Sequence, residues 1–435
     1  MANYEFLNGM KHFYSGYLSD VLLEYWLDRA DDEFGGFFTC YDNTGERLVS
    51  TDKFVWSQGR LVWMYSKLAG TTALELDEKT RRRCAELAAR GARFVADHCI
   101  LEGEECAFLL DREGNPKEFR PGSGHNISTF ADCFVIMGLA AYAEYSGDAE
   151  MLEKALSLFN SVTKRMYGNM FRTVPNVVPS AWRCHSIPMI VLNTGQELYG
   201  PLRKMGYCNE AAKVESVCAE LMNDVVSFIT EQGVVLQYLD KENGPMVTLS
   251  GRCVNNGHAN ESMWFVIREA LRLGSNEIIE KAANTVLVTS QTAWDDEYGG
   301  MFYYIDRDGG IPKGHIADNE RQLDEEFVHD WDSKLWWVHT ETVYANLLCF
   351  AITKDDSFLK EYERYHDYTF RTFPNTETSS GEWIQIRDRQ GRPGNPNVGG
   401  RLPVKDPYHT MRNLLLMVEL LDNMCSESCY DNITN

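Results

Sequence analysis

Two histidines stand out because each begins an apolar-periodic segment and has a polar partner three residues later. His258 is followed by Glu261, and His409 is followed by Arg412. Residues three apart lie on the same face of a helix, so each histidine would have its partner beside it. The positive end of the helix dipole keeps such a histidine neutral, and a neutral imidazole is a base near physiological pH. The two pairs therefore predict proton abstraction and return by two catalytic histidines.

The alternative for either histidine is a structural role, buried and hydrogen-bonded in a capping loop. In that interpretation Gly257 lets the backbone turn, and the side chain of Asn256 caps the first N–H groups of the helix. The occurrence of the same arrangement at two separate helix starts favours a functional role over coincidence.

Substrate binding is predicted for polar or aromatic residues in otherwise apolar helical segments. Arg60 could place a fixed cation beside a developing oxyanion, with a structural ion pair as the alternative. Trp337 and Glu341 could form a stacking wall for a sugar with a polar clamp, with a core role as the alternative for the tryptophan. Asn126 and His185 belong to two further helices and are also candidates, with a structural role as the alternative for His185.

The sequence lacks the signatures of several other catalytic classes. It has no Gly-x-Gly-x-x-Gly after a strand, no Walker-type Gly-Lys-Ser/Thr, no Gly-x-Ser-x-Gly and no His-Glu-x-x-His. Its twelve cysteines are scattered singly, without Cys-x-x-Cys pairs or the Cys/His spacing of zinc sites. No metal site is therefore predicted. Paired carboxylates for glycoside hydrolysis stay open, because acidic residues are abundant.

The segments that would position these side chains follow a repeat. Five short strands rich in aromatic or β-branched residues each end in an aspartate followed by a turn glycine; the aspartates are Asp42, Asp111, Asp240, Asp306 and Asp388. They lie 69, 129, 66 and 82 residues apart, and the interval of 129 corresponds to two units with a degenerate connection near residues 170–175. About six units of roughly 70 residues indicate a repeat architecture with short β-hairpins in its connections.

Two helical segments fit into most units, which gives twelve predicted helices at residues 5–28, 54–69, 77–98, 126–146, 148–166, 181–200, 208–230, 258–273, 276–293, 331–353, 355–372 and 409–424. Six helix pairs predict an all-α fold, the (α/α)6 barrel, with a linear solenoid as the alternative. The candidate residues fall on every second helix, so their N-terminal ends would meet at one mouth of a closed barrel. Residues 1–424 are predicted to form one domain, 311–328 a charged loop insertion that could act as a lid, and 425–435 a frayed tail.

Bulk composition excludes some partners. The 435 residues carry a net charge of -22, and the pI is near 4.9, which argues against binding to nucleic acid or an anionic membrane. No secretory signal and no membrane-spanning apolar run is recognised. The sequence therefore predicts a cytoplasmic protein with free, mostly buried thiols and a small-molecule partner. A homodimer is left as an alternative to a monomer.

Six segments of the chain resemble the N-acylglucosamine 2-epimerase (renin-binding protein) family of sugar epimerases and isomerases. They are residues 35–40, 52–66, 256–258, 294–300 and 334–341 and the pair His409-x-x-Arg412. They run in order along nearly the whole chain, from about residue 20 to 417. The longer segments are specific to the family.

The resemblance implies an (α/α)6 barrel and an isomerase of amino-sugar metabolism that inverts carbon 2 of an aldose. It implies that His258 and His409 act on opposite faces of an open-chain sugar, through an enediolate. It assigns Arg60 to the oxygen that gains charge, and Glu261, Glu341 and Arg412 to substrate contact or histidine orientation. An enediolate stabilised by a cation and formed by neutral histidines calls for no metal.

The implied substrates are N-acetylglucosamine and N-acetylmannosamine, with a mannose isomerase or a cellobiose or mannose 2-epimerase as the alternative. His185 bears on this choice, because relatives that act on unsubstituted sugars use a histidine on the same helix. Members of the family often respond to ATP through a lysine-rich stretch after the fifth helix. Residues 164–170 are poor in lysine here, so no cofactor is predicted, and ATP activation is an option that the sequence does not favour.

Overall fold

A computed structural model describes residues 2–175, 177–179, 181–316, 326–378, 381–394 and 404–425. Its long helices are α1 Ala2–Tyr17, α2 Val55–Gly70, α3 Glu78–Phe94, α4 Thr129–Ser146, α5 Ala149–Tyr167, α6 Ser186–Lys204, α7 Cys208–Val226, α8 Asn256–Leu273, α9 Asn276–Thr292, α10 Trp336–Thr353, α11 Asp356–Thr372 and α12 Tyr408–Cys425. Short π-helical turns follow α1 at Leu18–Leu23 and α3 at Val95–Cys99, and single α-helical turns lie at Glu24–Leu27 and Leu249–Arg252. Every predicted helix is present.

The even-numbered helices form a closed inner ring. Each contacts the next even-numbered helix, and α12 returns to contact α2, so the ring closes. The odd-numbered helices pack outside, each against an inner helix. The position of a helix in the barrel explains its pattern of apolar residues. The inner helix α10 is buried around almost its whole circumference, whereas the outer helix α3 buries one face only. The prediction of an (α/α)6 barrel is confirmed, and the linear solenoid is excluded.

Two glycines set the distance between the inner helices α2 and α4. A Cβ atom on Gly59 would lie 2.3 Å from the carbonyl oxygen of Phe134, and one on Gly138 would lie 2.5 Å from the carbonyl oxygen of Gly59. Any side chain at either position would push the two helices apart. This close approach holds Arg60, the next residue of α2, against the ring of Phe134.

Isolated antiparallel bridges close hairpins at three of the predicted turns, Tyr41–Leu48, Leu110–Pro116 and Arg387–Pro393, whereas most of the named strands pair between connections. β1 Lys53–Phe54 pairs with β4 Leu109–Leu110, β5 Trp182–Cys184 with β6 Tyr238–Asp240, β7 Cys253–Asn255 with β8 Tyr304–Asp306, and β9 Lys334–Leu335 with β10 Ile386–Arg387. Only β2 Ile100–Leu101 and β3 Glu105–Cys106 form a hairpin among these named pairs. In the other four pairs, a strand that precedes an inner helix pairs with the strand of the next connection.

These pairs tie neighbouring repeats together around one mouth of the barrel. Where the predicted connection was degenerate, an isolated bridge joins Ser128 to Thr173. The backbone N–H of Lys405 donates to the carbonyl oxygen of Thr39, at 2.7 Å. This hydrogen bond joins the last repeat to the first, so the linked connections form a closed circle. The predicted helix starts at 181 and 331 were too early, because β5 and β9 precede α6 and α10.

A buried ion pair recurs before two inner helices. Lys53 Nζ lies 3.1 Å from Asp31 Oδ2, and Lys334 Nζ lies 3.1 Å from Asp295 Oδ2. Two segments of family resemblance, 52–66 and 334–341, contain these lysines, and a third, 294–300, contains Asp295. The two ion pairs therefore brace the connections that lead into α2 and α10.

Some predictions lie partly or wholly outside the described residues. Of the predicted insertion 311–328, residues 317–325 are not described, so a lid stays a prediction. Of the tail, Cys425 ends α12 and the rest is outside the described part. The described cysteines are all free thiols, and most are buried. Within the described ranges, no helix is both long and apolar enough to span a membrane.

Candidate active site

A cavity of about 630 Å³ opens at the mouth where the inner helices begin. Every inner helix contributes a residue from its first two turns; these include Arg60, Phe134, Met189, His258, Trp337 and His409. The inner helices α2, α8, α10 and α12 bring predicted residues to this mouth, whereas α4 and α6 contribute apolar side chains there. The roles of the individual residues stay predictions.

The N-terminus of α8 presents His258 to this cavity. Asn255, not Asn256, caps the helix: its side-chain oxygen accepts from the backbone N–H of His258, at 3.0 Å. Asn256 instead donates to the carbonyl oxygen of Phe302, at 2.8 Å. Gly257 is helical, and it is needed for a different reason from the predicted turn, because a Cβ atom there would lie 2.3 Å from Cζ3 of Trp337.

The ring of His258 is neutral in this environment. Burial, followed by the charge of His409, lowers the pKa of His258 to about 4. Its Nδ1 lies 3.4 Å from Oε1 of Gln237. An amide oxygen is an acceptor, so this contact favours a proton on Nδ1 and leaves Nε2 as the basic nitrogen. Gln237 was not identified from the sequence.

His409, in the first turn of α12, is held by a carboxylate. Its Nδ1 donates to Oε1 of Glu341, at 2.7 Å. This contact also leaves Nε2 as the nitrogen available to a substrate. The ring centroid of Trp337 lies 5.3 Å from that of His258 and 5.5 Å from that of His409. Both imidazoles therefore lie close to one indole in one cavity.

Behind His409, two carboxylates share one guanidinium. Nη2 of Arg412 lies 2.6 Å from Oε1 of Glu261 and 2.5 Å from Oε1 of Glu341. Burial opposes ionisation, but Arg412 and the hydrogen bond from His409 lower the pKa of Glu341 to about 2. Glu341 and Arg412 do not line the cavity, whereas Glu261 does. Glu341 and Arg412 are therefore placed to orient His409 rather than to contact a substrate.

The same group of residues has the donor types of a metal site. Ligand atoms of Glu261, Glu341 and His409 all lie within 4.8 Å of one another. The guanidinium of Arg412 bonds to both carboxylates and lies 3.5 Å from Nδ1 of His409. The positive charge that these carboxylates need is thus supplied by arginine.

On the opposite side of His409, Arg60 is held in a fixed orientation. Nη1 of Arg60 donates to Oδ2 of Asp406, at 3.0 Å, and the same oxygen accepts from Ser57 Oγ, at 3.0 Å. The guanidinium lies over the rings of Phe134, at 4.0 Å, and Tyr408, at 5.1 Å. Burial opposes it, but the charge of Arg60 lowers the pKa of Asp406. Asp406 accepts from the N–H of Tyr408 as a helix cap, a signal present in the sequence but overlooked.

The cavity has a polar and an apolar side. Helices α8, α10 and α12 contribute the two histidines, Glu261 and the indole of Trp337. Helices α4 and α6 contribute apolar side chains, namely Phe130, Phe134, Met189 and Ile190. The site can therefore bind a molecule that has hydroxyl groups on one side and an apolar substituent on the other.

Besides Glu341 and Arg412, two further predicted binding residues do not reach the cavity. Asn126 donates to the carbonyl oxygen of Cys106, at 2.7 Å, and accepts from Arg172, at 2.5 Å, so it braces the connection before α4. His185 is fully buried just before α6, packs against Phe228, and lies behind the cavity wall. Burial lowers the pKa of His185 to about 3. Direct substrate contact by either residue is not supported.

Comparison with known proteins was made by sequence and by fold. The model of one family, described as N-acylglucosamine 2-epimerase (GlcNAc 2-epimerase), matches residues 36–412. An N-acylglucosamine 2-epimerase of Bos taurus is 28% identical over 414 residues, covering 94% of this chain and 90% of that protein. A cellobiose 2-epimerase of Ruminococcus albus is 24% identical, covering 91% of this chain and 95% of that protein.

Solved structures share the fold. A cellobiose 2-epimerase from Bacillus thermoamylovorans superimposes with a TM-score of 0.74 at 18% identity, covering 95% of this chain and 99% of that one. A D-mannose isomerase superimposes with a TM-score of 0.70 at 16% identity, covering 95% and 97% of the two chains. At these identities the likeness concerns the fold alone.

Proposed function

The chain belongs to the N-acylglucosamine 2-epimerase family and is a carbohydrate 2-epimerase, and from this premise we propose that it interconverts N-acetylglucosamine and N-acetylmannosamine through His258 and His409. The observation that carries the proposal is the arrangement of the two imidazoles. Both line one cavity close to Trp337, and each has Nδ1 engaged by an oxygen and Nε2 available.

The proposed reaction begins with the open-chain sugar. Nε2 of one histidine removes the proton from carbon 2, and the electron pair of that C–H bond moves toward the carbonyl oxygen of carbon 1. The other histidine then donates a proton from its Nε2 to the opposite face of carbon 2, and the electrons return. The product is the epimer. The second histidine has given one proton to the sugar, and the first histidine has gained one proton from it. All proton transfers use histidine, so no cofactor is needed.

Arg60 supplies the cation for the oxygen that gains charge. Its position is fixed by Asp406 and by two aromatic rings before any substrate enters, so little reorganisation is required when charge develops. Its Nε is buried without a hydrogen-bond partner among the described residues. An orientation held in advance is what transition-state stabilisation requires.

The apolar side of the cavity supports an N-acetyl sugar as the substrate. Packing the methyl group of an acetamide on side chains such as Phe134 and Met189 contributes about 0.8 kcal/mol to binding, because apolar surface is removed from water. An unsubstituted sugar would leave that wall in contact with a hydroxyl group only. The hydroxyl groups of either sugar suit the polar side and the indole of Trp337.

The test follows the proton on carbon 2. The protein is incubated in heavy water with N-acetylmannosamine, mannose or cellobiose, and the products are identified by NMR. The proposal expects deuterium at carbon 2 together with the epimer of N-acetylmannosamine. A ketose product would reassign the chain to aldose–ketose isomerisation, and an unchanged sugar in every case would overturn the proposal.

Single-histidine variants test the division between the two bases. His258→Asn and His409→Asn should each abolish inversion, while the remaining histidine still exchanges the carbon 2 proton of one epimer. The two variants should exchange opposite epimers. Exchange of the same epimer by both variants would contradict a mechanism with one base on each face. Unchanged thermal unfolding is the control for folding.

A further inference from the structure

We propose that Gln237 is a positioning residue for His258, and that the amide behind His258 and the carboxylate behind His409 make His258 the resting base and His409 the resting acid. This inference rests on the proposed two-histidine reaction. It adds a positioning residue to that reaction and assigns the base and the acid of the resting enzyme.

The two histidines are held in the same way by partners of different charge. Nδ1 of His258 faces Oε1 of Gln237 at 3.4 Å, and Nδ1 of His409 faces Oε1 of Glu341 at 2.7 Å. Both contacts select the tautomer with a proton on Nδ1, so both Nε2 atoms are free to act. The amide stabilises a neutral imidazole only, whereas the carboxylate also stabilises an imidazolium.

The orientation of the Gln237 amide is set from behind. Its Nε2 donates to Sγ of Cys184, at 3.7 Å, and that sulfur lies 3.1 Å from Oγ of Ser186. The backbone carbonyl of Gln237 accepts from the N–H of His185, at 3.0 Å, which fixes the strand. With the amide nitrogen turned toward sulfur, the amide oxygen faces His258. Gln237 is buried, with 7% of its surface exposed.

The charges around His258 do not compensate for the neutral amide. The ionisable groups facing it are Glu261 on its own helix, Glu341 on α10, His409 and Arg412 on α12, and His185 before α6. Both carboxylates bond to Arg412, which removes much of their attraction for a proton on His258. The positive charge of His409 opposes that proton directly. The carboxylate behind His409 can therefore stabilise an imidazolium, whereas the amide behind His258 cannot.

This asymmetry gives the two epimers different starting forms of the enzyme. The epimer that presents its carbon 2 proton to His258 meets a neutral base and a protonated acid at once. The other epimer requires the proton to be moved from His409 to His258 before reaction. Replacing the amide with a carboxylate should reduce the difference, since both histidines would then have anionic partners.

The experiment compares the wild-type protein with Gln237→Glu and Gln237→Met. Ring-nitrogen NMR of His258 without substrate should show the Nδ1–H tautomer in the wild type. Gln237→Glu should raise the titration midpoint of His258 by at least about one pH unit, as expected for a new charge at this distance. Gln237→Met should give a mixture of tautomers. The matched control is Gln385→Glu, which adds the same charge to the same cavity and should move the midpoint much less.

Kinetics provide the second readout. In Gln237→Glu, the acid limb of the kcat/KM profile for the epimer that reacts with His258 should move up by the same amount. One pH unit below the new midpoint, kcat/KM should therefore be at least about fivefold lower than that of the wild type. An unshifted midpoint in Gln237→Glu, or an unchanged tautomer in Gln237→Met, would overturn the role of Gln237. Because NMR uses no substrate, this result is independent of whether the wild-type protein epimerises the sugars tested.

Discussion

The contact between Glu341 and His409 gives a sharp prediction. Glu341 is fully buried and accepts hydrogen bonds from His409, Arg412 and, through Oε2, from Nε1 of Trp264 at 2.8 Å. In Glu341→Gln, the amide oxygen can face either Trp264 or His409. If it faces Trp264, the amide N–H groups face Nδ1 of His409 and favour the tautomer whose Nε2 cannot accept a proton.

The magnitude follows from the hydrogen bond that is lost. A hydrogen bond between charged groups contributes about 1.5–3 kcal/mol. The same free energy applied to the step in which His409 is charged lowers kcat by roughly 10- to 150-fold. KM should change less, because Glu341 does not line the cavity. The assay is epimerisation of N-acetylmannosamine followed by NMR.

The chain provides a matched control in Glu197. It also accepts from an indole, Nε1 of Trp63 at 2.8 Å, and from an arginine, Nη1 of Arg268 at 2.9 Å, but no histidine contacts it. Burial opposes ionisation, and Lys67 and Arg268 lower the pKa of Glu197 to about 2, as for Glu341. Glu197→Gln should cost comparable stability, about 1–3 kcal/mol, and leave kcat unchanged. If kcat of Glu341→Gln stays within threefold of wild type, or if both variants lose it equally, the orienting role is refuted.

Two further predictions concern stability. Gly257→Ala places a Cβ atom 2.3 Å from Trp337 and should lower the free energy of unfolding by at least about 1–3 kcal/mol and reduce kcat. The control Gly9→Ala, in α1 with nothing within 4 Å, should be neutral or stabilising. Denaturant unfolding measures both variants, and equal stabilities would contradict the packing argument. His339 is neutral, because Nδ1 donates to Leu335 O at 2.7 Å and Nε2 accepts from Met301 N–H at 2.9 Å, and burial lowers its pKa to about 3. An unfolded histidine titrates near 6.5, so the unfolded chain binds the extra proton between about pH 6.5 and 3, and this residue makes stability fall by about 1.4 kcal/mol per pH unit as the pH is lowered. His339→Gln should flatten that slope between pH 6 and 4 while still folding, because Gln58 accepts from Phe37 N–H at the corresponding position of α2. An unchanged slope would show that His339 is not responsible.

The sequence by itself determined the helices and the helix ends at which the site lies. The 3.6-residue periodicity and the recurring Asp and Gly turns depend on neighbours along the chain, so they predicted all twelve helices and the alternation of polar residues. The pairing of His258 with Glu261 and of His409 with Arg412 also followed from helical spacing. These features are local, and local features survive in a single sequence.

Tertiary structure decided what each polar side chain bonds to. His409 and Glu341 are 68 residues apart, and Arg60 and Asp406 are 346 residues apart, so no local pattern pairs them. The same applies to four of the five named strand pairs, in which the partner strand lies in the next connection rather than in the same hairpin. Closing the ring brought Glu261 and Glu341 onto one guanidinium and directed Asn126 away from the cavity. Helix geometry is encoded along the chain, but hydrogen-bond partners are chosen only when distant segments meet.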